Sequence, residues 1–241
     1  MRIRVLLATT AFAVAATTAL AAPAAAPAPA AAPLHGSGAK PAYPRLTKFP
    51  DAKIMATVNA LLAGKQKEAR ANYADCLKQV ADMKMKPDAE TWQEDVTVRY
   101  LSARYLSIEV VQSYFCAGAY PTNGAEAPIT VDLKTGKEID WSTMFKPGFL
   151  SADKPGALAA LYTARYSKAK DDAECLDAVK QSDPANADAA FWLDAKHGLM
   201  FVPGYPHVIA ACAVPMALSS KDLAPYAKDP ALVADLKAMG R

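Results

Sequence analysis

Histidine is scarce in this chain of 241 residues. There are three, and none stands in a ligand or catalytic pattern. The sequence has no H-E-x-x-H, no G-x-S-x-G and no C-x-x-C. Those absences remove the signatures of zincins, α/β-hydrolases, zinc ribbons and thioredoxins. A Gly-rich phosphate loop is missing too, and with it the entry point of a doubly wound nucleotide fold. No cofactor and no metal site is expected. Charge of one sign is also lacking: the formal net charge is +3, and +1 once Arg2 and Arg4 are set aside. A near-neutral chain offers nucleic acid or an anionic membrane no electrostatic hold.

What is present begins with a leader. "MRIRVLLATTAFAVAATTALAA" has a basic start, a short apolar run and Ala19-Leu20-Ala21. That is the layout of a secretory signal peptide, residues 1–21. The run is shorter than the roughly 20 apolar residues of a spanning helix, so no transmembrane anchor is expected after cleavage. Residues 22–44 are rich in Ala and Pro with no apolar periodicity, and are expected to form a disordered, semi-rigid tether carrying an incidental His35. Residues 45–241 are then one domain, long enough for a real core.

Four cysteines, Cys76, Cys116, Cys175 and Cys212, are an even number in an exported chain. Two disulfides are expected, and three connectivities are open. Topology favours Cys76–Cys116 and Cys175–Cys212. In each pair a cysteine in a helical pattern ("ANYADCLKQVA", "DDAECLDAVK") precedes one in a strand-like pattern ("SIEVVQSYFC", "HVIAACAVPM"), so each bridge staples a helix to the sheet behind it.

Apolar residues 54, 58, 61 and 62 have helical spacing, with Asp51 as cap and Gly64 as stop. A second helix is expected through Lys84. "DVTVRYL" and "ARYLSIEVVQSYFC" alternate as a hairpin across Ser102-Ala103-Arg104. On the second strand Leu106, Ile108 and Val110 share a face with Gln112 and Tyr114, so that face is not apolar to its end. "APITVDLKTGKEIDW" is a further hairpin with Gly136 in its turn. "DWSTMF" opens a short helix at Asp140. Two helices follow, then "AAFWLDAKHGLMFVP" as a hairpin, "HVIAACAVPMAL" as a strand, and two short closing helices, the first capped at Ser219 or Ser220. Grouped strands and grouped helices give an α+β class, an antiparallel β-sheet with helices packed on one face.

"YLSIEVVQSYFCAGAYPTNGAEAPITVDLKTGKEIDWSTMF" and the later "FWLDAKHGLMFVPGYPHVIAACAVPMALSSKDLAPY" resemble the RsiV C-terminal domain-like family. This domain of unknown function occurs in the extracytoplasmic part of the anti-sigma factor RsiV and beside peptidoglycan deacetylase domains. The likeness spans roughly residues 90 to 226. The family's "GGAHP" is "AGAYP" here, Ala117 to Pro121, so Tyr120 stands in place of a histidine. No cytoplasmic sigma-binding segment ahead of a membrane span is expected, so an anti-sigma role does not carry over. Lysozyme is the partner of RsiV-type domains, which implies partner binding.

Tyr120, with Asn123 close by, is the candidate partner-binding loop; read structurally, the same turn is a corner beside Cys116. No catalytic residue is assigned. His197 and His207 lack ligand spacing. Glu109, Asp132 and Asp194 fall on strands or their ends, and paired acids support glycosidase chemistry only when held about 5 to 9 Å apart. Aromatics including Trp92, Tyr114 and Trp141 are expected mostly in the core. The reading is a periplasmic or secreted cell-envelope binding module without catalytic activity, its partner a lysozyme-like protein or peptidoglycan. The alternative is a hydrolase acting on envelope glycans.

Overall fold

Alternating β-branched and polar residues between Thr91 and Tyr114 give the molecule its centre. The computed structural model describes residues 28–88, 91–116, 122–150, 156–169, 173–182 and 189–240. Along the chain, β1 is Ala30–Ala32, β2 His35–Gly38, β3 Arg45–Lys48, α1 Ala52–Asp82, β4 Trp92–Leu101 and β5 Tyr105–Tyr114. Next come β6 Thr122–Glu126, β7 Ile129–Asp132, β8 Lys137–Glu138, α2 Trp141–Met144, α3 Ala157–Ala169 and α4 Ala173–Gln181. Then follow β9 Ala190–Asp194, β10 Gly198–Val202, a 3-10 helix His207–Cys212, β11 Met216–Leu218, α5 Ser220–Leu223 and α6 Pro230–Ala238. The signal-peptide segment lies outside the described residues.

The large sheet runs β2-β4-β5-β7-β8, and every pairing in it is antiparallel. β7 pairs with β5 from Tyr105 to Ile108, and β6 pairs with it from Val111 to Tyr114. The two share one edge of β5, joined through Ala127, whose N–H donates to Val110 O at 3.0 Å, and Pro128. Proline has no N–H to give the ladder, so its place is at such a join. The period of two puts Val96, Leu106, Ile108, Val110, Ile129 and Val131 on one buried face. Against it lies α1, through Val58 and Leu62. Full burial of each such side chain contributes about 1.5–3 kcal/mol.

The opposite face of β5 carries Ser107, fully buried and 3.0 Å from Thr130 Oγ1. Ser107 Oγ also accepts from Leu193 N at 2.9 Å, which joins the small sheet β11-β10-β9 to the large one. A second core of Phe149, Leu158, Tyr162, Phe201, Leu218, Leu232 and Leu236 packs there. The chain is therefore α+β with antiparallel sheets and helices against them. Two disulfides close it: Cys76–Cys116 and Cys175–Cys212, with sequence separations of 40 and 37.

Four expectations change. Gly64 does not end a helix: α1 runs unbroken through 31 residues, because Ala69, Cys76 and Val80 keep facing the domain beyond it. Asp51 does cap it, accepting from Lys53 N and Ile54 N. Residues 30–38, expected within a disordered tether, form β1 and β2, and Tyr43 is buried. Strand addition to the edge of β4 needs backbone groups rather than apolar side chains, so composition did not signal it. Nor is His35 idle: its Nδ1 is 2.9 Å from Thr97 Oγ1. Finally, "HVIAAC" is a 3-10 helix with Val208 87% exposed, so Cys212 is joined to α4 from a helical turn and not from a strand.

Candidate functional site

Of the two residues singled out as partner-binding, Tyr120 lies outside the described residues. Asn123 stands on β6 opposite Ser113 of β5. The carboxylates read from the sequence do not converge. Glu109 is engaged by Arg99, Asp132 by Arg104 at 3.0 Å, and Asp194 by His197 at 2.9 Å. Arg104 also holds Asp229, the N-cap of α6, at 3.1 Å, which gives that pair a tethering role.

What does converge is a set of residues on α1 and the adjoining strands. Lys65, Glu68, Ala69 and Asn72 recur at helical spacing on one stripe of α1. Opposite them lie Val110 and Gln112 of β5, the Ala127-Pro128-Ile129 join, Glu138 of β8 and Tyr43. Between the two sides is an open cleft of about 280 Å³. Lys65 Nζ and Glu138 Oε2 form an ion pair of 2.8 Å at one end. At the other, one helical turn past Asn72, Cys76 is bonded to Cys116, so the disulfide holds α1 to the end of β5.

Behind the cleft wall is Glu94, 1% exposed. It lies on β4 directly opposite Gln112, whose Nε2 donates to Glu94 Oε2 at 3.0 Å. Burial first, and then the negative charge of Glu94, hold the Tyr43 proton well above the ordinary phenol range, with Glu68 adding to the effect. Among the described residues Glu94 Oε1 has no hydrogen-bond partner. Leaving a buried acceptor unmet costs about 1–3 kcal/mol, and more when it is charged. Two residues along β4, Trp92 stacks on Tyr114 with ring centroids 4.9 Å apart, and its Nε1 is likewise buried without a partner among the described residues.

A second cavity, about 490 Å³, is lined by Arg165, Lys196, His197, Ala217, Ser219 and Asp222. Its groups serve local structure. Asp194 Oδ1 accepts from Lys196 N, His197 N and the His197 ring, which forms the β9–β10 turn. Ser219 donates its hydroxyl to Asp222 Oδ2 at 2.7 Å within the capping box of α5. Arg165 bridges Asp222 and Ala217 O along the edge of β11.

Sequence reasoning missed Glu94 and Tyr43. The one available signal was parity: Glu94 and Gln112 are polar residues on the strand face that is otherwise core. Among the described residues no group of histidine, cysteine and carboxylate side chains is placed to hold a metal ion.

No family model matches the chain, and no curated protein matches it. Solved structures do. A crystal structure of a DUF3298 family member from Bacteroides fragilis aligns with a TM-score of 0.52 at 15% identity, covering 81% of this chain and 87% of that one. A DUF3298 family protein from Pseudomonas aeruginosa aligns with a TM-score of 0.40 at 19% identity, covering 58% of this chain and 62% of its own. The first likeness shows a shared fold.

Proposed function

We propose that this chain is an exported binding module of the cell envelope, with the cleft between α1 and the large sheet as its ligand site. The observation that carries the reading is convergence. Tyr43, Asn72 and Gln112 meet in one open cleft beside Glu94, whereas Glu109, Asp132, Asp194 and His197 are dispersed in separate ion pairs. Polar side chains converging from α1, β5 and the Tyr43 segment describe a recognition site. Two disulfides support an oxidising compartment, periplasmic or secreted. Among the described residues no helix is long and apolar enough to cross a membrane. The shared DUF3298 fold accords with the RsiV C-terminal resemblance, which supplies the candidate partners: a lysozyme-like protein or peptidoglycan.

The test is a pull-down with purified, oxidised protein, using lysozyme and purified peptidoglycan as separate baits. Saturable binding to one bait, weakened at least fivefold by Asn72→Ala or Gln112→Ala, is expected. Binding that both variants leave unchanged removes the cleft from the reading, and no binding to either bait removes the partners.

One observation favours a second reading, a hydrolase acting on envelope glycans: the cleft itself carries two carboxylates, Glu68 and Glu138. Release of new reducing ends from peptidoglycan, abolished by Glu68→Gln, is the outcome that replaces the first reading with this one.

A further inference from the structure

Taking the cleft as the ligand site, we infer that its ligand is the cationic head group of a lysine or arginine side chain presented by a partner protein. The inference rests on four observations. First, charge. Glu68 and Glu138 line the cleft, Glu94 lies behind its wall, and Lys65 is the one cation among the described lining residues. Lys65 is already paired with Glu138, and Glu68 has no ion pair among the described residues. The cleft is thus left with unbalanced negative charge, and low-dielectric walls concentrate such a field.

Second, hydrogen-bond polarity. Gln112 Nε2 donates to Glu94, which leaves the Gln112 amide oxygen as an acceptor, and the phenol oxygen of Tyr43 in the lining is a second one. With the Glu68 and Glu138 carboxylates, the lining is rich in acceptors, and the fitting ligand is rich in donors. Ammonium has three donors and guanidinium five, with no acceptor on either. A sugar ring carries donors and acceptors in balance and matches the lining less well.

Third, an unmet demand. Glu94 is almost wholly buried and its Oε1 is without a donor among the described residues. A carboxylate in that condition is poised to gain from a cation brought close to it. Fourth, size. About 280 Å³ is below the roughly 300–1,000 Å³ typical of small-molecule pockets, and suits one side-chain head group over a polymer repeat. The alkyl stem would lie on Val110, Ala127 and Ile129 while the head stays among the acceptors. Lys65 on Glu138 is the same arrangement made within the chain.

The test is a titration of the oxidised full domain with n-propylguanidinium chloride, at ionic strength held constant with sodium chloride, read by NMR on the side-chain amides of Asn72 and Gln112. Neutral n-propylurea and the disaccharide of N-acetylglucosamine are parallel arms. Saturable shifts with propylguanidinium, and at least fivefold weaker ones with propylurea, are expected. Glu68→Gln, on the exposed side of α1, should weaken propylguanidinium binding at least threefold. Lys65→Met frees Glu138 and should strengthen it about threefold, a gain that a damaged fold does not produce. Equal binding of propylurea, or shifts with the disaccharide and none with propylguanidinium, overturns the cation while leaving the cleft as a ligand site. No shift with any probe overturns the inference, whatever the bait experiment shows.

Discussion

Glu94 and Gln112 face each other across the β4–β5 ladder, and the amide of one donates to the carboxylate of the other at 3.0 Å. This pair turns an apolar sheet face into the back wall of a cleft. Gln112→Leu removes a donor from a buried carboxylate and is expected to cost about 2–3 kcal/mol in urea unfolding of the oxidised protein. The double variant Glu94→Leu, Gln112→Leu should be more stable than Gln112→Leu alone, since it removes the charge as well as the donor. A double variant that is less stable than the single one contradicts that account of the pair.

The Cys76–Cys116 bridge closes the cleft at one end. With its ends 40 positions apart in the sequence, it should contribute about 4 kcal/mol in the chain-entropy account. Replacing both cysteines with serine is expected to lower stability by an amount of that order and to weaken ligand binding, because α1 is then free to draw away from β5. Mass spectrometry of a non-reduced digest checks the connectivity. A peptide joining Cys76 to Cys175 or Cys212 contradicts it.

Asp222 has a carboxyl held below its ordinary range. Burial pushes it upward, and hydrogen bonds from Ser219 and Arg165 more than offset that. A carboxyl with a folded pKa below its unfolded value of about 3.9 stabilises the fold above that pH, and the contribution is lost as pH falls through the folded value. Asp222→Asn should therefore be less stable than the parent at pH 7, with the gap narrowing below about pH 4. A gap that widens on acidification contradicts the assignment.

Gly136 turns β7 into β8 at φ +71°, and a Cβ there would come within 3.0 Å of Thr57 on α1. Gly136→Ala meets both a left-handed backbone and a crowded helix. A loss of about 1–2 kcal/mol is expected in thermal or urea unfolding. Gly64→Ala, in open space within α1, should instead be neutral or stabilising by up to about 1 kcal/mol.

Deleting residues 22–44 should destabilise the domain. β2 pairs with β4 from His35 to Gly38, and Tyr43 is buried against the Glu94 end of the sheet. Equal stability of the deleted form would return those residues to the role of a tether.

Much of the fold was legible in local pattern. The hairpin across Ser102-Ala103-Arg104, the Gly136 turn and the caps at Asp51, Asp140 and Ser219 follow from short-range chemistry, and both cysteine pairings are as expected, the second although Cys212 sits on a helical turn and not the strand that argued for it. Three features were not legible because their determinants are non-local. β2 is held by backbone pairing to the edge of β4, which composition does not report. "HVIAAC" alternates like a strand, but its disulfide to α4 and the two prolines before it leave it as a helical turn. The cleft needs Tyr43, α1 and β5 brought together from separate parts of the chain, so parity at Glu94 and Gln112 was its one local trace.

The central claim is that the cleft between α1 and the large sheet is where this module binds. Amide hydrogen exchange of the oxidised protein, measured alone and with saturating lysozyme or solubilised peptidoglycan, tests it most directly. The account predicts added protection on α1 around residues 65–72 and on the strands around residues 110–112 and 127–129. Protection confined to the cavity around Arg165, His197 and Asp222 would contradict it.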